Sequence, residues 1–536
     1  MRAILLTWAL CGAAAALPAQ QAPRVRILPM PVIGGEGEER RRIGQLLGDS
    51  ANDTPDRLSP STLLAHATTW TRDRFTILTP SIRTVSNSAL PFSLNEGSLW
   101  AGRGLSTLAV GGFAARLGSV HLVVAPEFTR SENTRFQVIP FSDVDPTKWS
   151  IWANPFHPLP SSIDLPLRFG DQPLQRTTLG QSSLTVELPA VAVGVATENE
   201  WWGPSTRNAL VLSNNAPGFL HAFVRTRHGI RTRAGTFRGQ WLLGELRESD
   251  FFDRNADNNL RSMSGFLLSW TSRADSGLTL GLSRAVIATA SPNAFPFGAA
   301  FDVLRDVGRP NTVATDRPTG NRDQLFSLFG RWLVPKAGFA VYGEWVRFEQ
   351  PASLRDFLEF PGHSQGYTVG IEWARRSKLG ALRVQGEATY LEPDPSLRLR
   401  PVGISYTSAV VPQGYTNRGM SLGAAIGPGA SSQHLAADFF GAKYRAGIFF
   451  GRIRWDNAVL WTPVVPDVKN EDLSLFGGAS ASLSLYGVRA EVRFTRALRL
   501  DYLFQDKIHD YARGTHAGVD IRNSTLALTF SSTVIR

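Results

Sequence analysis

The sequence predicts an all-β transmembrane fold, an 18-stranded antiparallel outer-membrane β-barrel with a small N-terminal helical plug on its periplasmic side. Three observations predict it. The chain opens with an export signal, segments of alternating polarity fill most of its length, and short and long links between these segments alternate. We divide the chain into a signal peptide at 1–19, a plug segment at 20–71 and a barrel at 72–536.

The N-terminus has the layout of a secretory signal. Met1 and Arg2 precede an apolar run that ends in small residues, with a cleavage site expected after Ala19. The one cysteine of the sequence, Cys11, lies in this segment, so the mature chain has no thiol for a disulfide, a metal site or catalysis. After the signal, no apolar stretch reaches the ~20 residues of a membrane helix. Insertion into a membrane must therefore use strands.

Alternating polarity supports such strands. Over 382–390, the apolar side chains share one face, while Arg383, Gln385 and Glu387 share the other. The segments 488–494 and 367–374 alternate in the same way. This pattern is typical of a strand with lipid on one side and a polar lumen on the other. A large soluble all-β protein would show the same pattern, so the lengths of the links between strands are needed to distinguish the two folds.

The links favour the barrel, because outer-membrane barrels alternate short periplasmic turns with longer outer loops. Tight links are predicted near Gly118 and at 230–233, 273–276, 335–337, 377–379, 445–447 and 495–497. The long connections near 130–182, 290–322 and 392–435 are then expected outside the cell. The eighteen predicted strands are 72–85, 104–117, 118–129, 183–197, 206–213, 218–229, 234–247, 261–272, 277–289, 323–334, 338–349, 366–376, 380–391, 436–446, 447–459, 481–494, 498–508 and 521–531.

Two short helices are predicted ahead of the first strand. One covers 38–47, with Ile43, Leu46 and Leu47 on its apolar side. The second has Ser59 as N-cap and Pro60 at its first position, which is a helix-start pattern. An 18-stranded barrel has a lumen wide enough for water, so we expect these helices to plug it. A loosely attached periplasmic tail is the alternative.

Two motifs resemble the capsule assembly outer-membrane proteins of the Wzi family. The first is Asn95-Glu96-Gly97 followed by Trp100 and Arg103, and the second is Trp201-Trp202-Gly203-Pro204 followed by Asn214 and Asn215. Where the family usually has glycine, this chain has Ser205. The resemblance implies an 18-stranded barrel with a periplasmic helical bundle. It also implies a lectin-like role, holding an acidic capsular or exopolysaccharide at the cell surface without catalysis.

Each motif has two interpretations. In the first motif, Trp100 would stack on a sugar ring while Asn95, Glu96 and Arg103 bond its hydroxyls, or the segment is a structural loop folded into the lumen. For the second motif we favour a structural corner at the periplasmic rim. There, Trp201–Trp202 would receive the plug helices, since Gly and Pro pairs mark turns.

The charge balance indicates the class of partner. The chain carries a formal net charge of +11, and most of its 56 basic residues are arginine, which binds carboxylates through paired donors. This suits uronic-acid polymers, although a genomic bias toward arginine codons gives the same excess. Nucleic acid, a metal and a cofactor are not expected. The expected partners are acidic polysaccharide, outer-membrane lipid and the barrel assembly machinery, around a monomeric barrel.

Two other function classes stay open. A diffusion porin would keep the barrel but would need an open lumen. An outer-membrane hydrolase would need a serine within reach of a histidine. The nine histidines stand singly without a nucleophile motif nearby, among them His121, His221, His363 and His434.

Overall fold

The computed structural model describes most of the chain after the N-terminus. The predicted signal peptide, Trp70 and parts of several connections lie outside the described residues. The described residues are 25–50, 57–67, 75–138, 163–253, 255–290, 295–305, 307, 321–351, 353–394, 404–455, 472–502 and 519–532.

The described elements are mostly strands. The helices are α1 (Glu36–Leu46), α2 (Pro60–Ala67) and α3 (Leu354–Glu359), with single 3₁₀ turns at Phe297–Ala299, Asp302–Leu304 and Pro335–Ala337. The strands are β1 (Val25–Pro29), β2 (Arg57–Leu58), β3 (Phe75–Asn87), β4 (Gly104–Leu117), β5 (Val120–Val124), β6 (Glu127–Ser131), β7 (Leu174–Thr178), β8 (Ser183–Glu187), β9 (Val191–Ala196), β10 (Trp201–Trp202), β11 (His221–Thr226), β12 (Ile230–Arg231), β13 (Gly235–Arg247), β14 (Leu260–Ser272), β15 (Leu278–Thr289), β16 (Arg322–Val334), β17 (Phe339–Arg347), β18 (Gln365–Ser377), β19 (Gly380–Tyr390), β20 (Thr416–Asn417), β21 (Met420–Ser421), β22 (Ser431–Phe440), β23 (Tyr444–Arg454), β24 (Leu473–Leu485), β25 (Val488–Tyr502) and β26 (Val519–Ser532).

The long sheet closes on itself, because β26 pairs antiparallel with β3 through Thr525↔Asn87 to Ser531↔Ser81. It contains 22 strands. Three pairs of short strands, β5 with β6, β7 with β8 and β11 with β12, each fill one position in the wall, and β1 lies apart as a parallel addition to β3. The wall therefore has 18 positions, and the predicted 18-stranded antiparallel barrel is confirmed.

The links alternate in length as predicted. The tight turns fall at the end of the barrel where β3 begins and β26 ends, and the long connections fall at the opposite end. In outer-membrane barrels the short turns are periplasmic, so we call the two ends periplasmic and outer. The connections predicted to be long, near 130–182, 290–322 and 392–435, all start from the outer end.

Several predicted strands were wrong in position. The predicted strand 183–197 is the hairpin β8–β9, which turns at Pro189, a residue that cannot donate to a ladder. The predicted strand 206–213 is no strand, because all side chains from Asn208 to Ser213 are buried and none alternates outward. The count stays at eighteen because β7–β8 fills a place that the sequence analysis had missed.

Two predicted turns near the C-terminus were also misplaced. The turn predicted at 495–497 lies at Tyr486–Gly487, where φ is +47° and +78°. Two successive positive φ values fit a tight two-residue hairpin, and β25 then pairs in one register with β26 as far as Arg499. The turn predicted at 445–447 lies instead at 441–443.

The two faces of the wall differ as the sequence pattern requires. On β18, outward side chains such as Val369 and Ile371 are exposed, and inward ones such as Thr368 and Glu372 are buried. Outward aromatic residues form two rows. The row near the outer end contains Trp345, Tyr367 and Tyr390, and the row near the periplasmic end contains Trp332, Trp373 and Tyr444. Such rows mark the two interfaces of an outer membrane. None of the described helices is long and apolar enough to cross a membrane.

The N-terminal segment enters the periplasmic half of the lumen. The predicted helices at 38–47 and from Pro60 are present as α1 and α2. Ile43 and Leu46 of α1 pack on Leu333 and Ala340 of the wall. The segment is therefore docked inside the barrel and is not a loose tail.

The outer half of the lumen is filled by connections that fold inward. The main apolar core lies here and joins inward wall residues to four long links, through residues such as Trp100, Phe169, Leu210 and Tyr406. Tyr406 donates to the Leu210 carbonyl at 2.8 Å, and Ser213 N–H donates to the Leu422 carbonyl at 2.8 Å, so separate links hold one another. The described residues thus occupy both halves of the lumen.

Candidate functional site

The two sequence motifs meet inside the barrel. Gly97 N–H donates to the Asn214 carbonyl at 2.8 Å, and the Asn95 side chain donates to the Arg207 carbonyl at 2.7 Å. Asn95 has φ +57° and Gly97 has φ +62°, which bend the chain back toward the second motif. Asparagine is one of the few residues with a side chain that tolerates this region. The motifs that carry the family resemblance are therefore one joint between two links.

Glu96 attaches this joint to the wall. Its carboxylate accepts two hydrogen bonds from the inward Arg83 of β3, at 2.5 and 2.7 Å. A paired geometry of this kind is among the strongest polar contacts in proteins. Because Glu96 is held in this way, its lone pairs face a wall arginine and are not turned toward solvent.

Trp100 lies beneath the surface. It is 8% exposed, and its ring meets the Phe169 ring edge to face at 4.9 Å. Phe169 in turn packs on Phe251 at 5.7 Å. Of the two interpretations of the first motif, this burial favours the loop folded into the lumen over the stacking of Trp100 on a sugar. Phe251, partly exposed, ends this aromatic stack toward the outer mouth.

The second motif does not lie at the periplasmic rim as predicted. Trp201–Trp202 belongs to the outer link between β9 and β11, which folds down into the lumen. There, Trp201 and Trp202 pair antiparallel with Leu58 and Arg57 of the plug segment. Trp201 packs on Ile33 and Leu58, while Trp202 joins the main core of the outer half. The motif lies where the two halves of the filling meet.

The chain around this motif is held by wall carboxylates. Glu387 of β19 accepts from the backbone N–H groups of Thr206 and Asn208, both at 2.8 Å, and Glu344 of β17 accepts from Leu210 N–H at 3.0 Å. These bonds satisfy donors that no strand partner could reach. The inward acidic residues thus bind a buried loop.

The two bends of the motif differ in their need for glycine. Gly203 has φ +100°, and a Cβ there would lie 2.9 Å from a carboxylate oxygen of Glu344. Ser205 is not among the residues with positive φ, and its carbonyl accepts from the Trp201 indole at 3.1 Å. Serine therefore fits the place where the family usually has glycine.

Arginines surround the outer mouth above the aromatic stack. Arg103 donates to the Arg135 carbonyl, Arg176 lies 5.5 Å over the Phe169 ring, and Arg418 N–H donates to the Arg247 carbonyl at 2.7 Å. Burial and the nearby charge of Arg247 lower the pKa of Arg418 from its usual value. We call Arg103, Arg176 and Arg418 the mouth arginines.

The mouth arginines differ from their neighbours in their partners. Arg135 pairs with Asp171 at 3.3 Å and Arg247 pairs with Glu245 at 2.7 Å. Among the described residues, no carboxylate lies within 4.0 Å of a mouth arginine. The sequence analysis found Arg103 through its motif, whereas Arg176 and Arg418 are far apart in sequence and carry no motif.

Two of the described histidines contact groups within the barrel. His221 is buried, with Nδ1 2.8 Å from the Phe219 carbonyl and Nε2 3.7 Å from Glu200. His121 pairs with Glu187 at 3.2 Å. Within the described parts of the chain, no group of three or more His, Cys, Asp or Glu residues is arranged to hold a metal ion.

A family model agrees with the motifs. Residues 93–439 match the model of the capsule assembly protein Wzi, which is more than half of the chain. The chain belongs to the Wzi family. This Wzi-family protein is thus a β-barrel of the bacterial outer membrane. None of the curated proteins matches it.

One solved structure supports the fold, and two others are less similar. Wzi of Escherichia coli, described as an outer membrane protein involved in group 1 capsule assembly and a carbohydrate-binding β-barrel, matches with a TM-score of 0.54 and 10% identity over 91% of each chain. OccAB2 of Acinetobacter baumannii has a TM-score of 0.39 and 7% identity, covering 84% of this chain and 97% of its own. OccK5 of Pseudomonas aeruginosa has a TM-score of 0.38 and 8% identity, covering 85% and 98%.

Proposed function

We propose that this Wzi-family barrel binds an acidic surface polysaccharide at its outer mouth and so helps to assemble or anchor it. The observation that carries the proposal is the set of mouth arginines, which lack a carboxylate within 4.0 Å among the described residues. The capsule role of the family and the carbohydrate binding of Escherichia coli Wzi support it.

The chemistry of the mouth suits a uronate. A guanidinium offers two parallel N–H donors to a carboxylate, and among the described residues no protein carboxylate within 4.0 Å takes those of the mouth arginines. The partly exposed ring of Phe251 packs on Phe169, the ring that Arg176 covers, and provides an apolar surface for a sugar ring. Sugar stacking therefore moves from the buried Trp100 to Phe251.

The test measures retention of the host's acidic polysaccharide by the refolded barrel. Arg176→Gln and Arg418→Gln each remove one charge and keep a polar side chain. We expect each to weaken retention severalfold at low salt, and less as salt rises, because exposed charges are screened over ~8 Å at physiological ionic strength. Phe251→Ala should weaken it at every salt concentration.

Arg355, at the same outer end of the barrel, provides a matched control. Arg355 is 86% exposed and already paired with Glu359 at 2.7 Å, so Arg355→Gln should leave retention unchanged. All variants must keep the heat-modifiable migration of a folded barrel. Equal retention by the Arg176 and Arg418 variants and by the parent would contradict the proposal.

The filled lumen does not favour the diffusion porin, since in-folded links and the plug segment occupy both halves of it. Among the described residues no specific contact favours a hydrolase, and binding without catalysis is what we propose. Conductance of the parent barrel in a planar bilayer distinguishes an open porin from a filled, polysaccharide-binding barrel. We expect this conductance to be near zero.

A further inference from the structure

One part of the outer wall breaks the rule that outward side chains are exposed. Along β15, Leu280 points outward and is exposed, and Arg284 lies four residues further on the same face. Arg284 is nevertheless only 6% exposed, and both faces of the strand are buried from Ser283 to Ala288. Ser264 of β14 pairs with Val286, so it shares this outward face, and it too is buried. Something covers the wall here from outside.

The cover is the segment 295–305 in the link between β15 and β16, which we call the strap. Arg284 donates to the Arg305 carbonyl at 2.9 Å and also to the Val303 carbonyl, and Ser264 Oγ donates to the Ala300 carbonyl at 2.9 Å. The outward Trp241 donates to the same Ala300 carbonyl at 2.9 Å. The strap is therefore bonded to the outside of the barrel and does not fold into the lumen.

These bonds satisfy polar side chains on the outward face of the wall. Arg284 and Ser264 form a polar notch on a surface that elsewhere faces hydrocarbon, where an unsatisfied polar group is costly. The carbonyls of the strap accept the hydrogen bonds of the notch. Ser264 lies four residues from the outer end of β14, or roughly 13 Å along the strand at about 3.3 Å per residue. The strap thus reaches below the rim.

The far side of the strap is apolar. Phe297 is 73% exposed, Phe301 is 54% exposed and Leu304 is 59% exposed. This surface continues the exposed apolar face of the wall, represented on β16 by Leu328. Exposed apolar patches of this kind mark an interaction surface, and continuity with the lipid-facing wall identifies its occupant.

We propose that the strap is a membrane-contacting device, which seals the polar notch and inserts Phe297, Phe301 and Leu304 among the acyl chains of the outer leaflet. It would fix the depth and rotation of the barrel independently of any polysaccharide at the mouth. The segment binds lipid through apolar contact, so its function does not depend on the mouth arginines.

The test uses nitroxide labels. The mature chain expected from the sequence has no cysteine, so single cysteines at 297, 301 and 304 can each carry one label in barrels refolded into phosphatidylcholine vesicles. Accessibility to oxygen, which enters hydrocarbon, is compared with accessibility to a water-soluble nickel chelate. Ile371, outward on β18 and 52% exposed, gives the lipid reference. Leu379, 77% exposed in a tight turn, gives the aqueous reference.

All three strap labels should resemble the label at Ile371, with high oxygen and low nickel accessibility. Nickel accessibility equal to that at Leu379 would overturn the proposal, because the strap would then lie in water. Spin–spin broadening at the strap would also overturn it, by showing that a second copy of the chain covers the surface. Heat-modifiable migration checks folding, and the exposure of the three side chains makes each cysteine easy to accommodate.

Discussion

The segments that fill the two halves of the lumen are held to the wall by different kinds of contact. In the periplasmic half, α1 is held by charge: Arg42 pairs with Glu372 of β18 at 2.9 Å, and Glu39 pairs with Arg383 of β19 at 3.0 Å. In the outer half, long links are held mainly by an apolar core that includes Trp202. The outer half also has an ion pair between wall and link, Arg83 with Glu96, but α1 in the periplasmic half depends on several such pairs.

The difference shows what each kind of closure can do. Apolar burial stabilises by roughly 25 cal/mol per Å² and has little directional preference, so it suits long links that must pack in bulk. An isolated helix as short as α1 is marginal in water and depends on its receptor. Buried ion pairs add little net stability, but removing one partner is costly. Removing a single charge should therefore destabilise the periplasmic half most, and removing a large buried side chain should destabilise the outer half most.

The largest effect is expected from Glu372→Ala. Its buried carboxylate faces Arg42 at 2.9 Å and Arg331 at 3.7 Å, so its loss leaves two buried guanidiniums without this partner. We expect a loss of roughly 3–5 kcal/mol in the free energy of unfolding. Released α1 should also raise single-channel conductance. Urea unfolding and planar-bilayer recording measure the two effects.

Asp49→Ala is the matched control. Asp49 pairs with Arg376, but both side chains are more than half exposed. Exposed pairs contribute about 0–1 kcal/mol, so this variant should change neither unfolding nor conductance appreciably. If the Glu372 and Asp49 variants behaved alike, the view that buried charge holds the plug would be contradicted.

The adjacent residues Trp201 and Trp202 test the two halves separately, because Trp201 packs on the plug segment and Trp202 packs in the outer core. Trp201→Ala should loosen the plug segment, since its ring packs on Ile33 and Leu58. Trp202→Ala should loosen the outer links. Each loss of a buried ring should cost about 3 kcal/mol. Protease cleavage from each side of reconstituted vesicles shows which half opens, and identical cleavage patterns would argue against two separate closures.

The sequence predicted the wall better than its filling. Alternation along β18 and β19 depends on one physical contrast, lipid against lumen, so the faces of Val369 and Glu387 could be assigned from the sequence. Strand limits failed where that contrast is absent. At 208–213 every residue is buried by partners remote in sequence, and an apolar run inside a protein resembles a strand.

The candidate site was predicted only in part. The first motif pointed to Arg103, but its neighbours Arg176 and Arg418 come from β7 and from the β20–β21 hairpin, which only the folded chain brings together. The burial of Trp100 depends on Phe169, in another link. The sequence also gave no sign that the second motif reaches into the lumen, because the pairing of Trp201 with Leu58 joins distant segments.

The smallest effect concerns pH at the outer half. Burial raises the pKa of Glu248 to about 8, with Asp253 and Asp164 adding to the shift. Its folded pKa lies above the ordinary value of 4.5, so its contribution to stability is present below pH 4.5 and is lost as pH rises through about 8. Glu248→Gln should remove this slope from urea midpoints measured between these limits. A slope that persists in the variant would assign it to another group.

The central claim is that the outer mouth recognises carboxylates. It is tested most directly by comparing the host polysaccharide with the same polymer after its uronic acids have been reduced to neutral sugars. Polymer length and sugar sequence are then unchanged, and only the groups that the mouth arginines would bind are lost. The account predicts that the refolded barrel retains the native polymer at low salt and loses most of this retention with the reduced one. Equal retention of both polymers would contradict it.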